Sequence, residues 1–200
     1  MDTISSQYVN LENARIHYLE TGPNNSVSVL FLHGASFSAQ TWQEIGSLQL
    51  LARRGYRAVA VDIPGYGRSQ RISVSSFGFL LELLNILNLK MPILVSPSMS
   101  GNYSLPFVIN QADKLSGFVA ISPVGIQRFC DELKGIELPT LAIWGSNDRI
   151  VSVTEADLLV KLMPNSQKVI LDNAGHACYM KATEEFHQHL INFIRNCTNK

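Results

Sequence analysis

The strongest constraint on this chain is an alternation that runs through it. Short apolar runs at 27–32, 57–61, 93–95, 118–121, 140–144 and 168–171 are too brief for helices, and each ends in small or polar residues. The run at 27–32 (VSVLFL) is almost continuously apolar, as a strand buried on both faces must be. Between the runs lie stretches of helical periodicity. Residues 39–54 carry Trp42, Ile45, Leu48, Leu51 and Ala52 at helical spacing, and Gly55 stops them. Residues 77–89, 103–109, 154–163 (with Thr154 as N-cap) and 183–196 also read as helices, the last with Phe186, Leu190, Phe193 and Ile194 on one stripe. Residues 15–20 alternate as an early antiparallel strand before the turn Gly22-Pro23-Asn24-Asn25. Strands that alternate with helices are joined by right-handed crossovers. The expected class is therefore α/β, a mostly parallel central sheet with helices on both faces.

Composition narrows the partners. Two hundred residues, 46% hydrophobic and 16% charged, suit a single domain spanning 1–200 with a substantial core. The net charge is zero with acids and bases interspersed, so no nucleic-acid partner is expected. No basic segment leads into an apolar one at the start, and no run approaches the length of a membrane span. Cys130, Cys178 and Cys197 are odd in number and lack metal-ligand spacing, which suits reduced thiols and a cytoplasmic location. His187 and His189 lie two apart on the closing helix and point away from each other, so no metal site is expected there.

In a sheet of this kind ligands bind at the carboxyl ends of the strands. The loops at those ends contain His33, Asp62, Ser98, Ser122, Asp148 and His176. Around Ser98 the sequence is MPILVSPSMSG: a buried strand, a tight turn of small residues, then a helix. A serine at that corner is held on strained backbone with its hydroxyl facing the crevice, as in a nucleophile elbow. The usual elbow is G-x-S-x-G; here Ser96 and Ser100 replace the glycines. The same residues also fit a plain Ser/Pro turn that caps a helix. A serine hydroxyl needs a base to accept its proton, and the base needs a carboxylate to hold its tautomer. Ser98, Asp148 and His176 stand in the order nucleophile, acid, base, each beyond a strand end. Oxyanion donors would be the backbone N–H of Met99 and that of Ala35 or Ser36. His33 reads as a residue that ties its loop by hydrogen bonds, and Asp62 as a turn residue that satisfies backbone groups.

The motifs LFLHGASFSAQTW, VDIPGYGRS, LAIWGSNDRI and NAGHACYM, with the serine elbow, resemble the α/β-hydrolases over nearly the full chain. SPSMSGNYSLPF, DIPGYGRS and AGHACYM resemble more narrowly the α/β-hydrolase domain-containing protein 14 subfamily, whose elbow has the same serine-flanked form. The resemblance implies an α/β-hydrolase fold and a serine hydrolase of small acyl esters, a carboxylesterase or deacetylase type with Ser98, Asp148 and His176 as triad. It also implies acyl transfer from acylated amines, or to a thiol acceptor such as coenzyme A. One branch of that subfamily carries an N-terminal membrane anchor, and no such segment is expected in this chain.

Between the strands at 118–121 and 140–144 the chain has room for one short helix at 127–133, so no lid domain and an open, shallow acyl pocket are expected. Candidate walls are Phe37, Met99, Tyr103, Val124, Ile126, Ile150, Cys178 and Tyr179, each of which could equally be core. The expected partner is a small-molecule acyl substrate of acetyl size, with no cofactor and no metal. Acyl transfer and a catalytically idle binding scaffold are the two rival functions on the same fold.

Overall fold

The structure, a computed structural model, describes residues 3–73 and 75–198. Among them eight strands form one sheet in the order β1-β2-β4-β3-β5-β6-β7-β8. The strands are β1 Ser5–Leu11, β2 Ala14–Thr21, β3 Ser28–Phe31, β4 Arg57–Val61, β5 Ile93–Pro97, β6 Gly117–Ile121, β7 Thr140–Gly145 and β8 Ser166–Leu171. β1 and β2 form an antiparallel hairpin, β2 meets β4 antiparallel, and β4 through β8 pair in parallel. The chain leaves β3 for β4 on one side and then crosses to β5 on the other. Strand order therefore reverses between β3 and β5, where a crevice opens at the carboxyl ends.

Both faces of the sheet are covered, and the period-2 pleat sorts the apolar runs between them. Leu30, Val59, Val61, Leu94, Phe118, Ala120, Ala142 and Trp144 enter one core. That core is roofed by α3 Ser76–Ile86, α4 Gly101–Gln111, α5 Cys130–Leu133 and α6 Thr154–Leu162. Val29, Phe31, Ala58, Ala60, Val95, Val119, Ile121 and Ile143 enter the other. It is roofed by α1 Gln40–Glu44, α2 Ser47–Ala52, α7 Cys178–Lys181 and α8 Thr183–Thr198. α8 buries Phe186, Leu190, Phe193 and Ile194, the stripe its spacing predicts. His187, on the same helix, bonds through Nε2 to Ser47 Oγ at 2.8 Å and ties α8 to α2.

Three local expectations are corrected. The helix expected over 39–54 is two helices, because Gly46 adopts φ +79° and ends α1 in the left-handed region. Thr154 is the first residue inside α6 rather than its cap, and Ser152 Oγ accepts the Thr154 N–H at 3.3 Å. β1 is an unexpected strand. Four of its seven residues are exposed and four are polar, so it lacks a clear apolar signal, and it forms by pairing with β2 across a turn where Glu12 takes φ +51°. Between β6 and β7 the chain holds only a single turn at Gln127–Phe129 followed by α5, and no lid domain stands over the sheet edge. No helix among the described residues is long and apolar enough to cross a membrane.

Candidate active site

Ser98 stands where β5 turns into helix, with φ +52°. A non-glycine residue in that region is strained, and the strain lifts the side chain out of the strand line into the crevice. The serines flanking it are fully buried. Ser96 Oγ donates to Ser104 Oγ at 2.7 Å, Ser100 Oγ donates to the Pro97 carbonyl at 2.7 Å, and the Ser96 and Ser100 oxygens lie 2.9 Å apart. Each hydroxyl that replaces a glycine hydrogen is thus satisfied beneath the turn. Behind the corner, Gly101 lets α4 press on the loop after β6. A Cβ there would meet the Val124 carbonyl oxygen at 2.3 Å.

Ser98 Oγ lies 2.7 Å from His176 Nε2, and His176 Nδ1 lies 2.8 Å from Asp148 Oδ2. A carboxylate only accepts, so Nδ1 carries the proton and Nε2 is left to accept from the serine. Asp148 Oδ1 accepts the N–H groups of Ile150 at 2.9 Å and Val151 at 3.0 Å. Burial pushes the Asp148 carboxyl up, but the bonds from His176 and from the Val151 and Ile150 amides outweigh it and hold the group below the usual carboxylate range. Ser122, buried and without a partner at full hydrogen-bond geometry, adds a weaker lowering contribution.

The loops that carry the acid and the histidine are laced together. Ser146 N–H bonds to the Leu171 carbonyl at 2.9 Å, Asn147 N–H to the Ala174 carbonyl at 2.9 Å, and Asn173 N–H to Ser146 Oγ at 2.9 Å. Lacing brings the two side chains within one hydrogen bond of each other although 28 residues separate them.

The loop after β3 supplies the other side of the crevice. His33 is fully buried. Its Nδ1 donates to the Gly34 carbonyl at 2.8 Å and its Nε2 accepts the Ile63 N–H at 3.0 Å. Burial pushes His33 below its ordinary imidazole value, against the pull of the Gly34 carbonyl and Asp62, so it is neutral at neutral pH. The Gly34 carbonyl also accepts the Phe37 N–H at 3.1 Å. Because the peptide is planar and trans, fixing that carbonyl turns the Ala35 N–H the opposite way. Gly34 runs close to the serine: a Cβ on it would lie 3.5 Å from Ser98 Cβ. The Met99 N–H opens the short helical turn at Ser98–Ser100 and has no partner within it. Asp62 accepts three bonds, from Ala39 N–H at 2.7 Å, Arg68 N–H at 2.8 Å and His17 Nδ1 at 2.8 Å, and so clamps the loop after β4.

Residues 29–129 match the sequence pattern of the alpha/beta hydrolase family. Protein ABHD14A of Rattus norvegicus is 41% identical over 191 residues, covering 91% of this chain and 78% of that one. ABHD14B of Homo sapiens, named as a proposed protein-lysine deacylase, is 37% identical over 176 residues, covering 84% and 83%. This chain belongs to the alpha/beta hydrolase family. Within it, the likeness to ABHD14A and ABHD14B spans most of the chain. A CIB-like hydrolase of Thermoplasma acidophilum shares the fold, with a TM-score of 0.93 at 22% identity over 98% of this chain and all of that one.

As an alpha/beta hydrolase the chain differs in its pocket from what its sequence leads one to expect. Cys178 and Tyr179 are no pocket walls. They are buried at 0% and 2% exposure, because α7 folds down onto the α1 side of the sheet and Tyr179 stacks on Trp42 with ring centroids 4.8 Å apart. Ile126 is likewise core. Ile150 is 72% exposed and serves the site through its N–H alone. Phe37 stands over Gly34, and Val124 donates its N–H to the Ser98 carbonyl at 2.9 Å, so both border the elbow. Tyr103 lines a cavity of about 430 Å³ with Pro64, Tyr66, Arg71 and Phe79. Tyr66 makes an edge contact with His33, centroids 5.6 Å apart, which places the cavity beside the loop after β3. Sequence reading misses Tyr66, Arg71 and Phe79, which meet Tyr103 only when the loop after β4 and α3 both pack beside α4. A smaller groove of about 250 Å³, near Thr140 and Ser166 where β7 and β8 begin, lies at the opposite sheet edge and belongs to no part of this site. Among the described residues no group of three or more His, Cys, Asp or Glu could hold a metal ion.

Proposed function

We propose that the chain is a serine hydrolase that cleaves small acyl esters or amides through an acyl-enzyme on Ser98, with His176 and Asp148 completing a catalytic triad. The observation that carries this reading is the continuous chain Ser98 Oγ–His176 Nε2 at 2.7 Å and His176 Nδ1–Asp148 Oδ2 at 2.8 Å, built on a strained corner.

His176 Nε2 accepts the Ser98 proton as Oγ attacks the acyl carbon. Negative charge gathers on the carbonyl oxygen, and the N–H groups of Met99 and Ala35 receive it. A single such donor is worth about 10²–10³ in rate. Asp148 stabilises the imidazolium and stays a carboxylate. The intermediate collapses, His176 gives its proton to the departing oxygen or nitrogen, and the acyl group remains on Ser98. A second nucleophile, activated by His176 in the same way, then releases it. Water fits that role because no lid domain covers the site. The name of the human relative supports acyl-lysine amides as a substrate class beside acetyl-sized esters.

Purified protein and its Ser98→Ala variant are mixed with excess p-nitrophenyl acetate and quenched for peptide mass spectrometry. A burst of p-nitrophenol with an acetyl mass on Ser98, both lost in the variant, is expected. Repeating the reaction with coenzyme A present separates the acceptors. Free acetate marks hydrolysis, and acetyl-coenzyme A marks acyl transfer. Absence of both burst and adduct in folded protein overturns the reading in favour of an idle binding scaffold.

A further inference from the structure

A second serine stands at the end of a histidine–carboxylate chain. Ser6 Oγ lies 2.9 Å from His17 Nε2, and His17 Nδ1 lies 2.8 Å from Asp62 Oδ2. The atoms match those at Ser98: Nε2 faces the hydroxyl and Nδ1 the carboxylate. Sheet register builds the arrangement. Tyr8 pairs with His17 and Ser6 with Leu19, which puts Ser6 diagonal to His17 on one face of the hairpin. Tyr18 pairs with Val61, and the Asp62 N–H bonds to the His17 carbonyl at 2.9 Å, which brings Asp62 alongside.

His17 and Asp62 are 3% and 2% exposed, whereas Ser6 is exposed. The carboxylate is already fixed by the Ala39 and Arg68 amides, and the Tyr8 ring packs against the imidazole at 5.2 Å. A carboxylate can only accept, so the Nδ1 proton points to Asp62 and Nε2 accepts from Ser6. Four strand spacings of about 4.8 Å separate β1 from β5, which sets Ser6 roughly 19 Å from Ser98 across the sheet.

We propose that Ser6 is a second acyl-accepting nucleophile, which takes an acyl group from an activated donor such as an aryl ester or thioester. The Ser6 Oγ–acyl carbon bond forms as the bond from that carbon to the leaving oxygen or sulfur breaks. The hydroxyl proton passes to His17 Nε2 and on to the departing phenolate or thiolate. Ser6 lies within an extended strand rather than at a helix start, so it has no pair of backbone donors like those of Met99 and Ala35. Loss of such donors slows both acylation and hydrolysis, by about 10²–10³ for each donor. The good leaving group of an aryl ester or thioester offsets that loss in the first step, whereas the serine ester left on Ser6 is not activated, so the acyl group accumulates as a modification rather than turning over.

The test uses the full chain carrying Ser98→Ala, exposed to p-nitrophenyl acetate and sampled over time by tandem mass spectrometry. Ser5 is the internal control, since its hydroxyl bonds to the Glu20 carbonyl and faces no imidazole. The expected result is acetylation of Ser6 at least tenfold faster than of Ser5, lost with Ser6→Ala and reduced at least tenfold by His17→Gln in protein with native melting. Equal rates at Ser5 and Ser6, no adduct on Ser6, or an undiminished rate in folded His17→Gln would each overturn the proposal. If His17→Gln does not fold, the ratio of Ser6 to Ser5 labelling decides.

Discussion

Gly145 and Ala174 meet backbone to backbone: a Cβ on Gly145 would lie 2.3 Å from the Ala174 carbonyl oxygen and 2.3 Å from that of Gly175. Gly145 is the last residue of β7, and Ala174 belongs to the loop that ends at His176. The missing side chain lets the histidine loop lie down on the acid loop. Gly145→Ala must push the two apart, since neither obstacle is a flexible side chain. The expected cost is about 1–3 kcal/mol of stability. Displacement of His176 should also lower kcat by at least tenfold, because a shift on the order of 1 Å already matters at a reacting centre. Thermal melting and the p-nitrophenyl acetate burst measure the two effects. A variant with native burst amplitude and rate would show that the close approach does not position the histidine.

Backbone strain at Ser98 gives a second prediction, in which activity and stability move apart. φ is +52°, a conformation that costs a side-chain-bearing residue on the order of 1 kcal/mol and glycine almost nothing. Ser98→Gly and Ser98→Ala both remove the hydroxyl and its bond to His176, so both should lose the burst. Ser98→Gly should nevertheless be the more stable by about 1 kcal/mol in urea unfolding. Equal stability would mean that the corner relaxes when the hydroxyl is gone.

The third prediction concerns a thiol. Burial pushes Cys178 up to about 12. At pH 8 roughly one thiol in 10⁴ is then ionised, and the side chain is inaccessible as well. Iodoacetamide on native protein should leave Cys178 unmodified, and it should react only after denaturation, as read by peptide mapping. Alkylation of Cys178 in native protein would show that α7 lifts from the core.

The order of strands and helices was legible because both-face burial leaves near-continuous apolar runs, and 27–32 carries that signal clearly. β1 was not legible, since an edge strand with Ser5, Ser6, Gln7 and Asn10 has no apolar pattern and is held by its partner. Ser98, Asp148 and His176 could be named because each follows a strand at the same sheet edge. Their spacing could not be read, because it depends on lacing between loops and on Gly145. Cys178 and Tyr179 were misplaced for a related reason. They lie within three residues of His176, but a short helix turns them into the core, where Tyr179 meets Trp42 from a distant part of the chain. The walls at Tyr66 and Phe79 belong to different segments, and only tertiary packing joins them.

His33 links the loop after β3 to the pH dependence of folding. Burial holds it below its ordinary value of 6.5, so the folded protein declines a proton that the unfolded chain accepts. Above 6.5 neither state is protonated and the group has no effect. As pH falls below 6.5 the unfolded state binds more protons, and stability drops by up to about 1.4 kcal/mol per pH unit until the folded-state value is reached. His187 is pushed down too, by burial and then by Arg54, so the wild-type slope contains both groups. His33→Gln keeps a donor and an acceptor but cannot titrate. Urea unfolding at pH 7.5 and 5.5 should therefore show a smaller loss in the variant, and the difference isolates His33. The same substitution loosens the bond that fixes the Gly34 carbonyl and thereby aims the Ala35 N–H. kcat should fall, by up to the roughly 10²–10³-fold typical of a lost oxyanion donor, with KM little changed. A variant with the wild-type pH slope and wild-type kcat would show that His33 neither titrates in this range nor aims the loop.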